Sequence, residues 1–293
     1  MTIAALRERA YVGSEIVVEQ TLAPGANYRR YVVSYKSDGN KIFALMTIPS
    51  DAKPANGFPV IVMNHGYIDP NVYRTTERYV AYQDALARRG YITFKPDYRG
   101  HGDSEGEPNG DYETAAYSID VLNAIEALKK HPDVDAARIG LWGHSMGGQV
   151  TLRSLVILPD VKAAVIWAGV TAPYEQLFRE WKSPRTGGMH EALSDWGPAF
   201  VEQYGNAETN LEFWRAISAT SFIQDITAPV QLHHSPNDVE VPIAFSEFFA
   251  RELERNGKTF EFYAYPGDDH NLSQNFNAAM QRTISFFDKF LKP

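Results

Sequence analysis

The sequence predicts an α/β protein with a mostly parallel sheet and helices on both faces. Three observations predict it. Short continuous apolar runs such as Val60-Ile61-Val62-Met63 have the pattern of strands buried on both faces. Longer stretches between them carry apolar residues three and four apart, the helical period. The two kinds of segment alternate over most of the chain, which gives parallel strands joined by right-handed helical crossovers.

The elements follow in order. The first 50 residues read as extended structure. Within them, residues 28–36 and 41–48 are β-rich and flank Ser37-Asp38-Gly39-Asn40, the chemistry of a tight hairpin turn. These strands add an antiparallel N-terminal portion to the sheet. Pro49 to Pro59 is a polar connection. The strand 60–63 ends in Asn64-His65-Gly66-Tyr67. A helix is expected near 75–89, with Tyr79, Tyr82 and Leu86 on one face and Gly90 as its stop. Tyr91 to Phe94 is the next strand. The helix near 113–130 presents Val121, Leu122, Ile125 and Leu128. Arg138 to Trp142 is a strand, 147–156 a helix and Val161 to Trp167 a strand.

Residues 170–222 interrupt this rhythm with aromatics, Gly, Pro and short helical stretches. The alternation then resumes: strand Pro229 to His233, helix 243–256, strand Phe260 to Tyr265, and helix 273–291. The last helix carries Phe276, Met280, Ile284, Phe287 and Leu291 on one stripe. The chain therefore reads as one domain, 1–293, with 170–222 inserted as a cap or lid over the strand ends.

Composition limits the function. The chain has 293 residues, 44% of them hydrophobic, 22% charged, and no cysteine. Disordered, collagen-like and disulfide-scaffold classes are excluded, as is cysteine-based catalysis. A net charge of −8 argues against nucleic acid as a partner. No apolar run approaches the roughly 20 residues of a membrane span. The N-terminus has no signal-peptide core, so the expectation is a cytoplasmic protein or an exported mature form with its leader removed. The absence of cysteine leans towards export. The N-terminal 50 residues could extend the sheet or pack on a second subunit, so a homo-oligomer stays open.

The strongest local signal is Gly143-His144-Ser145-Met146-Gly147-Gly148, a G-x-S-x-G pattern with a strand before it and a helix after it. So tight a turn holds Ser145 in strained geometry and lifts its hydroxyl above the sheet, at a helix N-terminus that favours negative charge. The glycines two before and two after let neighbouring backbones pass close by.

A serine hydroxyl needs a base. Of the eight histidines, His270 lies in the turn-rich loop Tyr265-Pro266-Gly267-Asp268-Asp269-His270-Asn271, between the last strand and the last helix. That loop should open on the same sheet edge as Ser145. The imidazole needs a carboxylate to fix its tautomer. Asp238 follows the preceding strand and is the best candidate; Asp225, Glu240, Asp268 and Asp269 are rivals. The oxyanion needs two preorganised N–H donors. Met146 should supply one and Tyr67, after Gly66, the other. Trp167, Tyr174 and Trp181 are candidate substrate contacts, although the aromatics of the insertion are as readily its own core.

Together these segments resemble an α/β-hydrolase, and within that fold the catalytic domain of the prolyl oligopeptidase and dipeptidyl aminopeptidase group with its feruloyl- and carboxylesterase relatives. The resemblance rests on Asn64-His65-Gly66-Tyr67, Asp97-Tyr98-Arg99-Gly100-His101-Gly102-Asp103-Ser104, the Ser145 motif, Asp238-Val239-Glu240-Val241-Pro242 and Gly267-Asp268-Asp269-His270. It implies Ser145, Asp238 and His270 as nucleophile, acid and base. About 55 residues precede the first buried strand, too few for the propeller domain of the oligopeptidases. Many members also have a second glycine where this chain has Tyr67.

Both departures favour an esterase acting on a small-molecule ester. A serine exopeptidase is the alternative, with Glu175, Arg179, Glu180 and Arg185 as candidate anchors for a peptide terminus. A non-catalytic binding module is the third reading. Gly257-Lys258-Thr259 lacks the first glycine of a phosphate loop, and Gly100-His101-Gly102 lacks the last glycine of a dinucleotide motif. No His-Glu-x-x-His or metal-ligand spacing occurs. Neither a cofactor nor a metal is expected.

Overall fold

A computed structural model describes residues 1–292. The strands are β1 (Val17–Leu22), β2 (Tyr28–Ser37), β3 (Asn40–Pro49), β4 (Phe58–Asn64), β5 (Ile92–Pro96), β6 (Val134–His144), β7 (Ala163–Trp167), β8 (Val230–His234) and β9 (Phe260–Ala264). They form one sheet in the order β1-β2-β3-β5-β4-β6-β7-β8-β9. β1, β2 and β3 are antiparallel neighbours, and β3 runs antiparallel to β5. Every pair from β5 through β4, β6, β7 and β8 to β9 is parallel.

The hairpin closes as its turn chemistry predicts. Ser37 pairs with Asn40, and Asp38 and Gly39 between them have φ of 51° and 84°. Two successive left-handed residues match the right-handed twist of the strands they join.

The helices are α1 (Ile3–Glu8), α2 (Val80–Ala87), α3 (Ala116–Leu128), α4 (Met146–Ile157), α5 (Tyr174–Glu180), α6 (Glu191–Ser194), α7 (Gly197–Tyr204), α8 (Leu211–Ile217), α9 (Ile243–Arg255) and α10 (Phe276–Leu291). The sheet separates two apolar cores. Val60 and Val62 of β4 join Leu141, Ile166 and Leu232 against α3, α4 and α9. Ile61 and Met63 point the other way and join Trp142, Val165 and Trp167 against α2 and α10. This strict alternation on a strand buried on both faces explains the continuous apolar run in the sequence.

Two expectations need correction. The extended reading of the first residues misses α1. Thr2 caps it by accepting a hydrogen bond from the Ala5 N–H, and Ile3 and Leu6 are buried. Arg7 holds the helix to the rest of the domain through the Val156 carbonyl (2.6 Å) and Asp225 (2.7 Å). Six residues make too short a periodic signal; burial decides them. The helix expected from 75 begins only at Val80, because Arg78 and Tyr79 both sit at φ 54°, outside the helical region.

The Asp97–Ser104 segment is largely scaffold. Arg99 forms a salt bridge with the buried Asp120 (2.7 Å), and the Ser104 hydroxyl accepts the Phe43 N–H (2.9 Å). Between β7 and β8 the chain folds into the four short helices α5 to α8 and a 3₁₀ segment, Ala219–Asp225. Among the described residues no helix is long and apolar enough to cross a membrane.

Candidate active site

Ser145 is the single residue between β6 and α4. Its backbone has φ 56° and ψ −123°, a conformation that costs free energy for any residue with a side chain. The surrounding backbone holds it there. Its N–H donates to the Trp167 carbonyl (3.1 Å), and its carbonyl accepts from the Gly148 and Val170 N–H groups (2.9 and 3.1 Å). The motif glycines have a steric cause. A Cβ on Gly147 would overlap the Asn64 carbonyl, and one on Gly143 would meet the Gly147 backbone and the Thr151 hydroxyl.

His270 and Asp238 come from the loops after β9 and β8, both at the carboxyl edge of the sheet, the edge where β6 delivers Ser145. His270 Nδ1 lies 2.7 Å from Asp238 Oδ2. A carboxylate only accepts here, so Nδ1 carries a proton and donates it. The other oxygen, Asp238 Oδ1, accepts the N–H groups of Glu240 (2.9 Å) and Val241 (3.0 Å). Burial on its own would raise the Asp238 carboxyl. Hydrogen bonds from His234 and His270, with the backbone bond from Val241, outweigh it and hold the group well below the usual carboxylate range.

The His270 loop is built by the two aspartates that were rivals for the acid. Asp268 accepts from the N–H groups of Asp269, Gln274 and Asn275, and Asp269 from those of Asn271 and Ser273. The Ser235 hydroxyl donates to the Asp268 carbonyl (2.6 Å) and so joins the loops carrying His270 and Asp238. Asp225 pairs with Arg7, away from this edge.

His234 is a contact that sequence reasoning missed. Its side chain is wholly buried, and its Nε2 lies 3.1 Å from Asp238 Oδ2 and 2.9 Å from the Val241 carbonyl. Both partners accept, so Nε2–H donates, and Nδ1 shares a further hydrogen bond with the Ser246 hydroxyl (2.8 Å). The available signal was a histidine four residues before the candidate acid at the end of a buried strand.

Ser145, Met146, Tyr67 and His270 border one cleft of about 2080 Å³. The N–H groups of Tyr67 and Met146 donate to no other described residue. Gly66 packs so closely that a Cβ there would lie 3.0 Å from the Ser145 Cβ. Tyr67 is 72% exposed and lines the cleft rather than packing beneath other residues.

Of the three aromatic candidates, Trp181 borders the cleft, with His190 stacked on it at 4.1 Å. Trp167 does not. It is fully buried in the core beneath α10, and its indole N–H donates to Thr283 (3.0 Å). Nor does Tyr174, whose hydroxyl is spent between the Tyr112 carbonyl and the buried Arg153. Residues of α6 and α7, with Trp181, His190 and the α6–α7 connection, form one wall of the cleft. Glu175, Arg179, Glu180 and Arg185 are not on it, whereas Trp196 and Phe200 are. Acidic side chains outnumber basic ones along the cleft: Asp69, Asp103, Glu113, Glu191, Asp195 and Glu240 against Arg74 and Arg78. Among the described residues no group of three or more His, Asp or Glu side chains could hold a metal ion.

A sheet of this order, with a strained serine turn between a central strand and its helix, defines the α/β-hydrolase fold. The chain belongs to the prolyl oligopeptidase family, whose model matches residues 77–293. It is 34% identical over 246 residues to the putative esterase YitV of Bacillus subtilis, covering 80% of this chain and 89% of that one. It is 24% identical over 269 residues to the uncharacterized peptidase YtmA of the same organism, covering 90% and 94%. Acetyl xylan esterase 1 from Thermoanaerobacterium superposes with a TM-score of 0.76 at 15% identity, covering 98% of this chain and 93% of that one. The acylaminoacyl peptidase of Pyrococcus horikoshii superposes with a TM-score of 0.72 at 22% identity, covering 91% of this chain but only 43% of that longer one.

Proposed function

We propose that this protein is a serine hydrolase that cleaves small carboxylic esters through an acyl-enzyme on Ser145. The observation that carries the reading is the Asp238–His270 hydrogen bond of 2.7 Å, which holds the ring by Nδ1 and so assigns the part of base to Nε2, beside a cleft that Ser145 also borders. His270 takes the Ser145 proton as the hydroxyl oxygen attacks the ester carbonyl. The Tyr67 and Met146 N–H groups receive the oxyanion. His270 then protonates the departing alcohol. In the second half it activates water, which releases the acid and restores Ser145. Residues 170–222 serve as the cap, and Trp181 is the aromatic contact for substrate. The reading is supported by a neighbour named as an esterase that this chain matches over nearly its whole length, and by a curated relative named as a putative esterase.

The test compares kcat/KM on a short-chain p-nitrophenyl ester and on matched aminoacyl p-nitroanilides, with Ser145→Ala as the blank. Ester turnover lost in Ser145→Ala, with the anilides silent, is the expected result. Faster anilide cleavage would replace this reading with a peptidase. One observation favours that second reading: the acidic excess along the cleft suits the ammonium group of a peptide N-terminus.

A further inference from the structure

Tyr79 lies outside the proposed machinery, yet its backbone is strained and its hydroxyl sits between two catalytic loops. Arg78 and Tyr79 are consecutive non-glycine residues in the left-handed region, both at φ 54°. This turn brings the Tyr79 oxygen 3.0 Å from the Gly66 N–H and 2.7 Å from His144 Nδ1. His144 Nε2 in turn lies 3.1 Å from the His270 carbonyl oxygen.

The chemistry of the two ends fixes every proton between them. The Gly66 N–H can only donate, and the His270 carbonyl can only accept. His144 therefore carries its proton on Nε2 and offers Nδ1 as an acceptor. The Tyr79 O–H donates to Nδ1, and the Tyr79 oxygen accepts from Gly66. All four groups are satisfied by one phenol proton and one imidazole proton. A second proton on His144 would face the Tyr79 O–H and break the chain. Burial, with the nearby His270, pushes the His144 imidazole down to about 3, so it stays neutral. The Tyr79 ring is held edge-on against Trp142 at 5.8 Å, and the tilted rings of His144 and His270 are 4.7 Å apart between centres.

We propose that Tyr79 and His144 are positioning residues, forming a hydrogen-bonded relay that locks the Gly66–Tyr67 loop to the backbone of His270 across Ser145. The proposal rests on the serine hydrolase reading and deepens it. The Gly66 N–H is held by Tyr79, which turns the next N–H, that of Tyr67, towards the cleft. The same relay anchors the base loop through its backbone, independently of the Asp238 contact to the imidazole. Donors to a developing oxyanion act through their placement, and a shift of about 1 Å is enough to cost roughly 100-fold in rate. Their loss should therefore appear in kcat and leave ground-state binding intact.

Tyr79→Phe removes one oxygen and keeps the ring. Its kcat on a p-nitrophenyl ester should fall roughly 10- to 100-fold with KM changed less than about twofold. His144→Asn should do the same. The double variant should be no slower than the worse single one, because either change breaks the one chain. Imidazole nitrogen NMR of the full chain provides a readout that needs no turnover. His144 should show protonated Nε2 and hydrogen-bonded Nδ1 in the wild type, and a free Nδ1 in Tyr79→Phe. An unchanged kcat in Tyr79→Phe, additive losses in the double variant, or a proton on Nδ1 of wild-type His144 would each overturn the relay. A wild type without Ser145-dependent turnover would instead overturn the hydrolase reading, and the Nδ1 signal alone would then decide whether the relay exists.

Discussion

His270 Nδ1 and Asp238 Oδ2 meet at 2.7 Å, and the Asp238 side chain has no exposed surface while 16% of the His270 side chain is exposed. The carboxylate is thus shielded from water and the imidazole reaches the cleft. Asp238 cannot turn away, because its other oxygen is held by the Glu240 and Val241 N–H groups. Asp238→Asn keeps the size and removes the charge. Its amide can present N–H to His270 and so favour the wrong imidazole tautomer. Under the proposed mechanism kcat should fall roughly 10⁴-fold, the loss this exchange causes in serine triads, with the fold retained. Steady-state kinetics beside a thermal melt checks it, and a near-normal rate would remove Asp238 from the mechanism.

Gly147→Ala tests the turn itself. Its added methyl has no room, since backbone rather than a flexible side chain occupies the space. Either β4 or the start of α4 must move, and both flank Ser145. The expected result is loss of turnover together with a stability loss of roughly 3 kcal/mol or more, read from urea unfolding. An alanine variant of ordinary stability and rate would mean that the close approach of Asn64 and Gly147 does not constrain the turn.

Much of this arrangement was legible in the sequence because it depends on local rules. The continuous apolar run at β4 signals burial on both faces, and Asp38-Gly39 signals a tight hairpin. Gly143 and Gly147 mark a turn that no larger residue fits. The chain order Ser145, Asp238, His270 places all three after strands that end at one edge. Contacts between distant elements were not legible. Trp167 and Tyr174 fall in segments next to the site along the chain, but side-chain direction at the end of β7 and packing at the start of α5 turn both into the interior. His234 and Tyr79 read as ordinary residues of a strand end and a helix. Their partners, Asp238 and Gly66, are joined to them by folding, and in Tyr79 the decisive feature is a left-handed backbone that no residue preference announces.

Acid stability is a last consequence of the buried histidines, and His233 isolates it. The side chain is fully buried, its Nε2–H donates to Gln231 (2.7 Å), and its Nδ1 accepts the Tyr265 hydroxyl proton (2.7 Å). Burial, and secondarily the charge of Arg282, pushes this imidazole from 6.5 down to about 3. Between those values the unfolded chain binds a proton that the folded chain does not. The contribution to stability is therefore complete above about pH 6.5 and is lost as pH falls towards 3. At pH 5 the loss from this one group is about 2 kcal/mol. Asp97 and Asp111 act oppositely, because burial raises both to about 6 and the folded state takes up their protons first as pH falls. Total stability between pH 7 and 5 is thus a difference of opposing contributions. His233→Gln removes one of them and retains a side chain able to donate and accept. Urea midpoints for both proteins at pH 7 and pH 5 should show the variant losing less stability on acidification, by about 2 kcal/mol. Equal losses in the two proteins would mean that His233 takes up its proton in the folded state as readily as in the unfolded one.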